Sequence, residues 1–141
     1  MSEPRGADDI VGISLLSIEQ WLTRHGYSVE KNIKITGKAG ITHEIGFYAE
    51  NPSEGRLIVV QRPLGATVSE EDIVRLFAIC LDVDASGILI TAQPNITKYA
   101  ARLANLYRIG LIDASSQSMQ VNVVQELLVR NKHFKGPQSL V

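Results

Sequence analysis

One stretch limits what this chain can fold into more than any other, the run from Gly40 to Pro63. Ile41, Ile45, Phe47 and Ala49 fall on alternate positions, as they do along a strand with one buried face. Leu57-Ile58-Val59-Val60 is instead a continuous apolar run rich in β-branched residues, the pattern of a strand covered on both faces. Between them Asn51-Pro52-Ser53-Glu54-Gly55 reads as a loop, because Pro and Gly both resist strand pairing. The stretch therefore predicts a β-hairpin, Gly40–Glu50 with Arg56–Pro63, whose second strand belongs in the middle of a sheet.

The rest of the chain supplies what such a strand needs around it. Asp8 or Asp9 caps a predicted helix to about His25, with apolar residues at Ile10, Val11, Ile13, Leu15, Leu16, Ile18, Trp21 and Leu22, and Gly26 stops it. A first strand follows over Tyr27–Ile35. Ser69-Glu70-Glu71-Asp72 has the signature of a helix start, a Ser cap with an acid three residues on and three acids near the positive end of the dipole. Ile73, Leu76, Phe77, Cys80 and Leu81 form the buried face of that helix, which ends near Asp82. Ser86–Thr91 is a short buried strand. A helix from Gln93-Pro94-Asn95 to about Tyr107 places Ile96, Tyr99, Ala100, Leu103 and Leu106 on one face, and Leu111–Asp113 is a last strand. Over 118–130 the apolar residues fit either a strand or a helix, and we favour helix. The predicted order is helix, three antiparallel strands, helix, strand, helix, strand. It implies an α/β fold with a single mixed β-sheet, an antiparallel meander plus parallel strands, flanked by helices on both faces. Residues 1–7 read as a flexible leader, 8–130 as one domain and 131–141 as a tail.

Composition excludes several functions. A chain of 141 residues, 45% apolar with 21% charged residues, is an ordinary globular domain with a proper core. Its net charge of −1 argues against a surface coated in basic residues, although a local basic patch is compatible with it. The single cysteine, Cys80, can form neither an internal disulfide nor a Cys-based zinc site, and its spacing is explained by packing. No run approaches the ~20 apolar residues of a membrane span, and the first residues lack the apolar core of a signal peptide. A cytoplasmic location is the expectation. The three histidines are scattered: His25 closes a helix, His133 lies in the tail, and His43 reads as a hydrogen-bonded core group rather than a metal ligand.

Gly87-Ile88-Leu89-Ile90-Thr91, a helix carrying Ala100, Ala101 and Ala104, and Ile109-Gly110-Leu111-Ile112-Asp113 follow one another in the chain. With the element order and His43-Glu44-Ile45, this arrangement resembles the restriction-endonuclease-like superfamily, the PD-(D/E)xK nucleases. The likeness is to the Mrr-like branch and its small archaeal relatives, over about residues 8–114. The resemblance implies the αβββαβ core. It also implies a metal site with an acid on the second strand, an acid on the third and a lysine two residues later. There two carboxylates hold Mg²⁺ and the lysine positions the attacking water. The matching positions here are Gly46, Val60 and Arg62. Glycine and valine have no side-chain oxygen to offer a cation, and arginine stays protonated and cannot act as a base.

The expectation is therefore a catalytically degenerate nuclease-fold protein, needing no metal or other cofactor and serving as a DNA-binding or scaffolding module. An alternative is an active Mg²⁺- or Mn²⁺-dependent endonuclease with relocated ligands, Glu44 and Glu50 on one strand face with Gly46 by parity, Gln61 in a shifted register, and Glu19 as a third acid. Another is a protein-binding homodimeric subunit, with Val59, Val60 and the 118–130 segment as apolar surface. Arg62 either pairs with Glu44, the reading we prefer, or contacts a phosphate. Lys98 and Arg102, four apart on one helix, form with Lys34 and Lys38 either a basic track for DNA or an ordinary solvated surface.

Overall fold

The structure, a computed structural model, describes residues 7–63, 66–91 and 96–113, with side chains between Leu15 and Ile112. Residues 1–6 of the leader, the 118–130 segment and the tail lie outside the described residues, and Ala7, assigned to the leader, already belongs to the first helix. The elements are α1 (Ala7–Arg24), β1 (Ser28–Thr36), β2 (Thr42–Asn51), β3 (Gly55–Gln61), α2 (Glu70–Val83), β4 (Ser86–Thr91), α3 (Lys98–Leu106) and β5 (Gly110–Asp113). They form one five-stranded mixed sheet in the order β1-β2-β3-β4-β5. The β1–β2 and β2–β3 pairs are antiparallel, and β3–β4 and β4–β5 are parallel. The meander and the parallel half are as the sequence predicts.

Helices cover both faces. Ile18, Trp21 and Leu22 of α1 pack with Phe47, Ala49, Leu57, Val59, Ile88, Ile90 and Ile112 on one side. On the other, Ile73, Leu76, Cys80 and Val83 of α2 and Ala100 and Ala104 of α3 pack with Ile45, Tyr48, Ile58 and Leu89. Burial on both faces accounts for the unbroken apolar runs of β3 and β4. Val59, expected as a dimer surface, is 3% exposed, and Val60 packs against the α2 side of the core. Both are therefore core residues.

Local chemistry sets the ends of the elements. Ser69 and Asp72 form the complete capping box at the start of α2. Gly26, at φ +89°, ends α1, and the Tyr27 N–H closes back on Leu22 O at 3.0 Å. Gly87 lets α2 approach β4 closely: a Cβ there would stand 2.9 Å from Cys80 Sγ and 3.1 Å from Ile109 Cδ1. Three helical faces differ from expectation. Leu16 of α1 is exposed, and Leu81, expected on the buried face of α2, is turned outward. α3 is capped by Thr97 rather than starting near Pro94, and it turns the small Ala100 and Ala104 inward, leaving Tyr99 61% and Leu106 68% exposed. Small residues are what a helix needs to lie close on a sheet; counting apolar residues alone puts Tyr99 on the wrong side. Ile96 lies before the helix, bridged to Val68.

The hairpin holds the main departure from simple strand geometry. The β1–β2 ladder runs from Ser28↔Glu50 to Lys31↔Phe47 and resumes at Ile33↔Ile45, skipping the pair Asn32 and Gly46. Asn32 is left-handed, at φ +55°, a conformation Asn tolerates better than most residues. Val29 and Phe47 face α1, whereas Ile33, Ile35 and Ile45 face α2. The two strands thus exchange faces together at Asn32 and Gly46, and the outer half of the hairpin turns toward α2.

Candidate functional site

Face inversion decides where the acids go. Tyr48 lies on the α2 side, and its hydroxyl donates to Glu50 Oε1 at 3.0 Å. Burial, aided by that carboxylate, pushes the Tyr48 hydroxyl up to about 12. Glu44 is flanked by His43 and Ile45, which face α2, so it projects to the opposite face. The expected shared face of Glu44, Gly46 and Glu50 is therefore broken, because parity does not carry across the inversion at Gly46. Glu19 is engaged elsewhere, 2.8 Å from Lys31 Nζ. Among the described residues no three His, Cys, Asp or Glu side chains gather as a metal site.

The β2–β3 pairing stops at Tyr48↔Ile58. In the same register Gly46 would lie across from Val60, just past the last pair. A Cβ at Gly46 would meet nothing within 4 Å, so space for a side chain exists and none fills it. Alternation along β3 sends Gln61, exposed, toward the α1 side and Arg62 toward α2.

Arg62 does not pair with Glu44. Its N–H donates to Ile90 O at 2.8 Å, and its Nη2 lies 3.9 Å from Asp72 Oδ2 in the first turn of α2. The partner is Asp72 because Arg62 shares the α2 face, whereas Glu44 does not. Its Nε is buried with no hydrogen-bond partner among the described residues.

The hairpin tip is fastened at the other end of α2. His43 Nε2 lies 2.6 Å from Asp82 Oδ2, the Ala39 N–H donates to Asp82 Oδ1 at 2.6 Å, and the Lys38 N–H donates to Asp82 O at 2.9 Å. The His43 bond, then the Ala39 N–H, hold the Asp82 carboxyl below its ordinary value. His43 is thus the hydrogen-bonded group the sequence suggests. Its partner, 39 residues away, has no local signal. Beside this clamp a cleft of about 550 Å³ opens between Thr36–Lys38, Gly55–Arg56 and Asp82–Asp84, where Arg56 Nη1 donates to Val83 O at 2.9 Å.

The expected basic track is divided. Lys38 sits at the last turn of α2, while Lys98 opens α3 beside its first turn, where the Thr97 hydroxyl donates to Glu70. A helix of 14 residues, about 21 Å long, lies between those two ends. Lys34 belongs to the outer hairpin with Lys38, and Arg62 to the end that carries Lys98; Arg102 lies one turn further along α3. Lys34, Lys38, Lys98 and Arg102 are all exposed.

No helix among the described residues is long and apolar enough to cross a membrane. No protein-family model matches the chain, and no curated protein does. Its fold is similar to the crystal structure of a protein of unknown function, AF1548, with a TM-score of 0.59 and 19% sequence identity. The match covers 87% of this chain and 66% of that one, so the likeness is one of fold.

Proposed function

We propose that the chain is a restriction-endonuclease-like protein that has lost cleavage and binds DNA as a module. The observation that carries this reading is the chemistry at the end of β3. Gly46 and Val60 bring no side-chain oxygen to a cation, and Arg62, in the lysine position, is a permanent cation 3.9 Å from Asp72 Oδ2. Arg62 and Lys98 stand at the same end of the helix layer, where the first turns of α2 and α3 meet. The exposed cations of α3, Lys98 and Arg102, suit a phosphate backbone without a metal. As part of the same reading the module works in the cytoplasm, and as a homodimer. Val74 and Leu81, 46% and 44% exposed and two turns apart on α2, replace Val59 as the apolar surface for it.

The test is fluorescence anisotropy of labelled duplex DNA in EDTA over a salt series. Binding without divalent metal, weakening steeply as salt rises, is expected. Lys98→Glu with Arg102→Glu abolishes it. Binding that survives this charge reversal overturns the assignment of α3. A Mn²⁺-dependent nicking activity removed by Glu44→Gln overturns the loss of cleavage.

A further inference from the structure

We infer that the outer face of α3 binds single-stranded nucleic acid, with Tyr99 as the platform for an unpaired base. This rests on the DNA-binding reading and names its substrate class. By helical spacing Lys98, Tyr99, Arg102 and Leu106 fall within one arc of the helix, opposite Ala100 and Ala104. The arc carries two cations, and α3 itself has no acid. Of the three acids in the first turn of α2, Glu70 accepts from the Thr97 hydroxyl, Glu71 pairs with Arg75 and Asp72 faces Arg62. The Arg102 guanidinium lies 5.7 Å from the Tyr99 ring centroid. It covers one side of the ring by cation–π attraction, and Tyr99 as a whole remains 61% exposed to solvent.

A large exposed aromatic beside two cations matches the two parts of a single strand. The cations take the phosphates, and the ring takes a base face. In a duplex both faces of each base are already stacked, so only an unpaired base can use Tyr99. Leu106, further along the same arc, extends the apolar surface for the next base.

The experiment uses the full chain in EDTA with labelled oligo(dT), oligo(U) and a duplex of equal length, read by anisotropy. Tyr99 is exposed, so its variants should keep the native thermal transition, which circular dichroism checks. Tyr99→Ala is expected to weaken oligo(dT) and oligo(U) binding about tenfold while changing duplex binding by less than about twofold. Tyr99→Phe retains the affinity, because the ring and not the hydroxyl does the stacking. Single-strand affinity unchanged by Tyr99→Ala, or lost equally in Tyr99→Phe, overturns the inference. Duplex binding alone, indifferent to Tyr99, overturns it and leaves the DNA-binding reading standing. No binding to any of the three overturns both. A Tyr99→Ala effect on sedimentation alone assigns the face to a protein partner and likewise overturns it.

Discussion

The two halves of the sheet are held by different means. Around β3, β4 and β5 the residues are buried on both faces, and α2 and α3 lie close because Gly87, Ala100 and Ala104 are small. The outer half of the β1–β2 hairpin has helical cover on one side, exchanges faces at Asn32 and Gly46, and is fastened at its tip by Asp82 and His43. Packing spread over many contacts is insensitive to salt and acid. A clamp built on one carboxylate is sensitive to both, and its loss is local.

The sharpest contrast comes from Ile90→Ala, which empties a fully buried site in the parallel half and should cost about 3 kcal/mol in urea unfolding. A cost below about 1 kcal/mol would show that this half does not carry the fold. Gly87→Ala should cost about 2 kcal/mol by overpacking, since the new methyl meets Cys80, Ile109 and Leu76 together. At the hairpin tip, Gly37→Ala sets a methyl against the Asp82 carboxylate and should cost about 1 kcal/mol. Hydrogen exchange would show that loss confined to the outer hairpin; spread through β4, it would erase the distinction.

Acid probes the same clamp. The folded Asp82 carboxyl titrates below its ordinary 3.8, so its contribution is present above that pH and is lost as pH falls through the folded value. Asp82→Asn should therefore remove part of the fall in melting temperature below about pH 4. An unchanged pH profile would mean the clamp adds nothing. Gly46→Asp should be the mildest change, within about 0.5 kcal/mol, because nothing stands in the way of its side chain.

The sequence made the parallel half readable because burial on both faces writes itself as unbroken apolar runs, and the Ser69–Asp72 box marks the helix that follows. The hairpin was readable as a hairpin, but not in its faces. Period-two alternation assumes that no residue turns left-handed, and Asn32 does. The one available hint was an Asn placed opposite a glycine in the paired register. The same alternation pairs Arg62 with the wrong acid, because it assigns Glu44 to a face that Glu44 does not occupy. On α3 the error was one of size: the helix buries its alanines, and Tyr99 faces out. The Asp82–His43 clamp joins residues far apart in the chain, and no local pattern announces it.

The strands stand in space in the order in which they occur in the chain. Each can therefore add to an edge formed by the one before it, and no strand must be threaded between two others. Such near-neighbour closure keeps the entropic barrier to folding low. It also means that a chain emerging from the ribosome has an open edge at every stage. The most hazardous moment comes after Gln61, when Leu57–Val60 is paired on one side and its other edge waits through the whole length of α2 for β4. A chain halted there would expose an apolar strand edge to its neighbours, and aggregation of such halted chains is the kinetic counterpart of the well-buried centre.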